Sequence, residues 1–161
     1  EPEEEDRAHV VLSKREVHTY TRGAFAGALE DVKANVARYG AIDVCEFHKG
    51  FVEDTLPTFD EPVAFAYVDV DLVSAERTCL QYLWPLLGDG CFLFTDEAHH
   101  LEIAECFYDR AWWQATLATE PPGLVGAGSG LGLFPAPGGA RSSVGYAVKN
   151  PAALGLTERP G

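Results

Sequence analysis

Apolar residues at Phe25, Leu29, Val32, Val36 and Tyr39 are spaced 4, 3, 4 and 3 apart. This is the stripe of an amphipathic helix, predicted from Gly23 to Gly40. Thr21 is placed to cap its start, and Gly40 to end it in the left-handed conformation. Val44 to Lys49 is short, partly alternating and closed by Gly50, which predicts a strand. Phe51 to Leu56 predicts one helical turn before Pro57. From Val63 to Val70 the chain is almost continuously apolar, as in a strand buried on both faces. Ser74 to Leu87 predicts a helix, with Ser74 as its cap and Pro85 near its end, and Gly88-Asp89-Gly90 supplies a turn. Cys91 to Thr95 predicts a third buried strand. His100 to about Ala118 reads as a helix carrying Leu101, Ala104, Phe107, Tyr108 and Trp112. Ser143 to Lys149 is a last strand. Residues 1–22 are polar without a clear period, 121–139 form a Gly/Pro-rich loop or hairpin, and 150–161 form a tail. Alternating strands and helices predict one α/β domain over residues 1–161, its sheet parallel apart from one late antiparallel strand. No internal repeat is visible.

Composition narrows the class of partner. The 161 residues are 47% apolar and 23% charged, which is globular composition. The formal net charge is −13. Five of the 25 acids fall in the first six residues, so the body carries 20 acids against 12 bases. Such a field repels phosphate backbones and anionic lipid, which excludes nucleic acid and membrane surfaces as partners. It suits a metal cation or a cationic small molecule. No apolar run approaches the ~18 residues of a membrane span. The acidic stretch Glu1 to Asp6 lacks the basic start of a secretory signal, so the expected compartment is the cytoplasm. Cys45, Cys79, Cys91 and Cys106 form no CxxC pair and are expected as buried, reduced thiols.

Chemistry concentrates at two strand ends. In open parallel sheets, sites form beyond the carboxyl ends of the strands. The strand from Val63 ends in Asp69 and Asp71, and the next ends in Asp96 and Glu97. Adjacent strands lie ~4.8 Å apart, so four carboxylates would converge and repel. A divalent cation removes that conflict, and all-oxygen donors suit magnesium, calcium or manganese. The competing reading makes these acids solvated strand-end residues or helix caps. His99 and His100 offer a nitrogen ligand or a general base, or simply start a helix. Gly126 to Gly132 does not match GxGxxG in register and follows Pro121-Pro122, so a loop or lid over a substrate pocket suits it better than a phosphate cradle. Trp112-Trp113 lines an aromatic pocket or packs a helix on the sheet. No nucleophile elbow, Walker A motif or zinc spacing is present, which leaves hydrolase and kinase readings without support.

Several segments together resemble the macrocin O-methyltransferase family: Leu29-Glu30-Asp31-Val32 through Ala37-Arg38-Tyr39-Gly40, Phe47-His48-Lys49-Gly50-Phe51-Val52-Glu53-Asp54-Thr55-Leu56-Pro57, Asp69-Val70-Asp71-Leu72, Trp84-Pro85-Leu86-Leu87 and Asp96-Glu97. The similarity runs from about residue 23 to 110. It implies a Rossmann-like methyltransferase sheet and an S-adenosylmethionine-dependent, usually magnesium-dependent O-methyltransferase of natural product biosynthesis, acting on a hydroxyl of a sugar or glycosylated small molecule. By the resemblance, Asp69, Asp96 and Glu97 hold the metal and Asp71 is the base on the acceptor hydroxyl. Gly50, Phe51 and Val52 match the segment near the adenine, and Asp69 also belongs to the cofactor-binding set. The family has Asp-Gly-Asp where this chain has Val70 at the centre, and Asp-Asp-Tyr where it has Asp96-Glu97-Ala98.

The resemblance also implies a missing part. The family's glycine-rich turn after its first strand, and the acidic residue after its second, have no counterpart here. With a family strand order of 3-2-1-4-5-7-6, loss of strands 1 and 2 leaves a gap of about 14 Å beside the strand at 63–70. That strand would carry a bare edge. Three outcomes are expected: a fragment of a longer enzyme, a strand at 44–49 that slides in beside 63–70, or a second chain supplying the edge, as in a homo-oligomer. The alternative function is a non-catalytic, truncated methyltransferase-like domain acting through protein–protein contact.

Overall fold

A computed structural model describes residues 8–11, 16–21, 27–126 and 143–155. Within them a three-stranded sheet is ordered β3-β4-β5, from Val63–Val68, Leu87–Thr95 and Gly145–Val148. The β3 and β4 strands are parallel, and β5 runs antiparallel to β4. The helix α3 (Val73–Leu86) makes the crossover between β3 and β4. The late antiparallel strand and the α/β alternation are those the hydrophobic pattern predicts.

The predicted burial of β3 on both faces is not what forms. Ala66 and Val68 are buried while Phe65 and Tyr67 are exposed. Small residues face the helices and large aromatics face the other way. On that open face Phe65 lies against Phe94, and Phe94 against Tyr146, with ring centroids 5.4 and 5.5 Å apart. The core lies on the opposite face, where Leu80, Trp84, Leu93, Ile103, Phe107, Trp113 and Ala147 are buried together.

Other departures have local causes. The predicted strand 44–49 is absent: Ile42–Val44 is a single 3-10 turn and the following residues are irregular. An extended segment without a ladder partner leaves its backbone groups to water, and Val44 is exposed. Nothing therefore slides in beside β3 from this segment, and among the described residues β3 pairs with β4 alone. The helix α1 (Leu29–Tyr39) starts later than predicted and buries no residue. Thr21 is not its cap, Gly40 is extended at φ −137, and Phe25 lies outside the described residues. Acidic Glu30 and Asp31 in its first turn suit the helix dipole. The turn expected at Gly88-Asp89-Gly90 is part of β4, which begins directly at Leu87. Ser74 is not the cap of α3, which follows Leu72 without a side-chain cap. Pro85 lies in the last turn of α3, and Lys149 Nζ donates to two of its final carbonyls, those of Trp84 and Pro85, at 2.8 and 2.9 Å.

The helix predicted from His100 to Ala118 is two helices, α4 (Leu101–Cys106) and α5 (Arg110–Leu117). Asp109 restarts the second by accepting from Trp112 N at 3.1 Å, and Arg77 holds that carboxylate at 3.0 Å. Trp113 Nε1 donates to Cys106 O at 2.8 Å across the break. The N-terminal stretch, read as polar without a clear period, holds the antiparallel hairpin strands β1 (Ala8–Val11) and β2 (Glu16–Thr19), which pair His9 with His18. It docks on α4 through a bridge from Val11 to His100 and a bond from Val10 N to Glu102 Oε2 at 2.8 Å. All four cysteines are free, but Cys45 is exposed and Cys91 only half-buried, against the expectation of four core thiols. No helix among the described residues is long and apolar enough to cross a membrane. Of the Gly126–Gly132 stretch only Gly126 is described, and residues 127–139 of the predicted 121–139 loop lie outside the described residues.

Candidate active site

The parallel pairing of β3 with β4 sets their carboxyl ends side by side. Asp69, Asp96 and Glu97 come together there, with ligand oxygens all within 4.8 Å of one another. Asp69 is exposed, Asp96 half-buried and Glu97 buried. Burial, followed by the charges of Asp71, Asp96, Asp69 and Glu76, pushes the Glu97 carboxyl up to about 8. Partial desolvation, with Asp96 and Asp71 adding to it, also raises Asp69. Burial leads both shifts, and the mutual repulsion of the acids adds to them; a cation would relieve that repulsion. Three carboxylates are a hard, all-oxygen donor set that fits a divalent ion of the magnesium class.

Asp71 stands beside this group, and its charge reaches both Asp69 and Glu97. Its backbone is at φ +61, a left-handed conformation rare outside glycine but tolerated by Asp. Leu72 N closes a three-residue turn around it to Val70 O at 2.7 Å. The left-handed position is thus Asp71 itself and not residue 70.

Hydroxyl groups that sequence reasoning missed hold the acids in place. Tyr67 OH donates to Asp96 Oδ1 at 2.6 Å, and Ser143 Oγ to Asp96 Oδ2 at 3.3 Å. The bond to Asp96 is the main reason the Tyr67 phenol rises to about 12. Tyr20 OH reaches Asp71 Oδ1 at 3.4 Å and His100 Nδ1 at 3.3 Å. Behind the cluster, buried Glu76 accepts from Thr95 Oγ1 at 3.3 Å. Its position was readable, because it falls on the stripe of Val73, Leu80 and Trp84.

The histidines lie beside the acids. His100 is buried, with His9, His18 and His99 around it at ring-centroid distances of 5.5, 6.0 and 4.2 Å. Burial first, then these neighbours, lowers the His100 imidazole to about 4, so it is neutral at physiological pH. Neither His99 nor His100 joins the group of converging ligand atoms. Of the Trp112-Trp113 pair, Trp113 is fully buried in the core.

Gly50, Phe51 and Val52 are not brought into the carboxylate cluster. They precede and open α2 (Val52–Thr55), which packs on α3. Phe51 is exposed, and Val52 packs against the core. A cavity of about 370 Å³ opens near α2, lined among others by Glu46, His48, Thr55, Phe59 and Leu83 and by none of the four carboxylates.

Comparison with known proteins places the chain beside a family model, a curated protein and a solved structure. The family model for macrocin-O-methyltransferase (TylF) matches residues 2–117. The Streptomyces olivaceus protein named 8-demethyl-8-(2,3-dimethoxy-alpha-L-rhamnosyl)-tetracenomycin-C 4'-O-methyltransferase is 34% identical over 98 residues, covering 60% of this chain and 37% of that protein. The solved structure of the O-methyltransferase NovP aligns with a TM-score of 0.54 at 17% identity, covering 91% of this chain and 57% of that one. The structural likeness shows the fold, a Rossmann-like methyltransferase sheet. The chain spans little more than a third of the curated relative's length and under two-thirds of the structural one.

Proposed function

Because the chain belongs to the macrocin-O-methyltransferase family, we propose that it serves S-adenosylmethionine-dependent, metal-assisted methylation of a hydroxyl on a sugar or glycosylated natural product. The observation that carries this reading is the convergence of Asp69, Asp96 and Glu97 within 4.8 Å, with Asp71 beside them. Asp69, Asp96 and Glu97 would hold magnesium, which when bound supplies positive charge that orients the acceptor hydroxyl and lowers its pKa. S-adenosylmethionine supplies the methyl group, and its sulfonium cation suits the acidic surroundings. Asp71 accepts the proton that the acceptor hydroxyl sheds. Tyr67 and Ser143 orient Asp96 from both of its oxygens. Alignment of methyl and hydroxyl oxygen is the source of most of the rate.

The test is magnesium-dependent methyl transfer by the chain and by Asp96→Asn. Loss of at least ~100-fold in the variant is expected, in line with removal of an electrostatic group at the reacting centre. Unchanged activity would sink the metal role. Calorimetric titration of S-adenosylmethionine, with and without magnesium, asks separately whether this chain binds the cofactor.

A second reading has its own observation. Phe65 and Tyr67 are exposed on β3, whose outer edge is unpaired among the described residues. Under that reading the domain is non-catalytic and pairs through this edge with another polypeptide. Light scattering separates the two, because a clean monomer removes the argument.

A further inference from the structure

We propose that Tyr20, from the N-terminal hairpin, is a positioning residue that holds the Asp71 carboxylate for its proton-accepting role. This rests on the methyl-transfer reading given above. It is carried by where three separate parts of the chain meet. Asp71 sits in a turn whose backbone is fixed by the bond from Leu72 N to Val70 O. Its side chain lies close enough to Asp69 and Glu97 for its charge to act on both carboxyls. Tyr20 OH donates to it, 3.4 Å from Oδ1. That length is long for a hydroxyl bond, as catalytic contacts commonly are before substrate binds.

The ring of Tyr20 is itself held. His18 packs edge-on at 4.7 Å and His9 at 5.2 Å, both from the hairpin. His100 Nδ1 lies 3.3 Å from the same hydroxyl. If the hydroxyl proton goes to Asp71, the phenol oxygen accepts from a protonated Nδ1 of His100. The phenol stays protonated, because burial and the nearby charges of Asp71 and Glu97 raise it well above its ordinary value. A neutral donor suits this place. It orients the carboxylate without cancelling the charge that makes it a base.

This gives the imidazole cluster a task. The three histidines that touch Tyr20 form a wall around one phenol, and the hairpin becomes part of the site.

Two measurements on the full chain test this. In methyl-transfer assays, Tyr20→Phe should lower kcat by roughly 10-fold while the acceptor KM and the Mn2+ affinity stay within twofold. A purely structural defect would move all three together. In the chain labelled with 13C at tyrosine Cζ, the Tyr20 resonance is identified by its loss in Tyr20→Phe. Asp71→Asn should shift that resonance and lower its titration midpoint, with Tyr146 as the unmoved control. An unchanged kcat in Tyr20→Phe, or a Tyr20 resonance indifferent to Asp71→Asn, overturns the assignment. Absence of any methyl transfer by the unsubstituted chain counts against the functional reading instead, and the tyrosine resonance then decides the Tyr20 contact by itself.

Discussion

Replacing Glu76 by Gln should make the metal-free protein more stable, by an amount that grows with pH. Glu76 lies on α3 at 1% exposure, and its Oε1 has no hydrogen-bond partner. Burial pushes its carboxyl from the ordinary 4.5 up to about 8, opposed only by the bond from Thr95. Below pH 4.5 both folded and unfolded chains hold this proton, so the site costs nothing through titration. Between 4.5 and 8 the unfolded chain binds fewer protons than the folded one, and stability falls as pH rises. Above 8 the penalty is constant. Each pH unit inside the window is worth about 1.36 kcal/mol, so the penalty at pH 7 is about 3 kcal/mol. Gln keeps the volume and an oxygen for Thr95, and it does not ionise. Urea unfolding at pH 5.5 and 7.5 stays above the isoelectric point near 4.6. Over that interval the advantage of Glu76→Gln should widen by about 2–3 kcal/mol at unchanged m. An advantage that does not vary with pH, or a Gln variant less stable at pH 7.5, would refute the reasoning.

Two further substitutions address the site and its support. Tyr67→Phe removes the 2.6 Å bond to Asp96; Mn2+ affinity, read by paramagnetic resonance, should fall about 10-fold, the usual cost of losing an outer partner of a metal ligand. Gly145→Ala places a Cβ 2.6 Å from Ala98 Cβ and 3.1 Å from Val125 O, in a fully buried corner of β5. It should cost about 1–3 kcal/mol and lower Tm by several degrees, which scanning calorimetry measures.

What the chain discloses of its fold follows from how long each periodic signal runs. The helix α3 carries its apolar pattern over many residues and lies close to where the pattern puts it, whereas the five-residue apolar run 91–95 marks only the end of β4, which starts at Leu87. In β3 the run Val63-Ala64-Phe65-Ala66-Tyr67-Val68 reads as uniformly apolar, yet from Phe65 to Val68 it alternates large exposed residues with small buried ones. Hydrophobicity alone misses that difference, and size reveals it. The break between α4 and α5 is hidden because Phe107, Tyr108 and Trp112 continue an apolar pattern through it. Asp109 was the signal there, a strong capping residue two positions after Phe107. The hairpin strands at 8–11 and 16–19 have four residues each, too short for alternation to register.

The same limit divides the site into a legible half and an illegible half. Asp69, Asp71, Asp96 and Glu97 were visible because each follows a strand, and parallel pairing fixes where strand ends meet. The donors that hold them arrive from far along the chain. Tyr20 is 51 residues from Asp71, and Ser143 is 47 residues from Asp96. No local pattern announces such contacts, because tertiary packing alone creates them. Their chemistry is nonetheless consistent. The guanidinium ion pairs of Arg77 with Asp109 and Arg110 with Glu120 lie away from the cluster. Asp71 and Asp96 are met by neutral hydroxyls instead. A guanidinium at either carboxylate would lower its pKa and cancel the field that draws in a cation. Hydroxyl donors fix the geometry and leave the negative charge in place, which is what a site for a divalent metal and a sulfonium group requires.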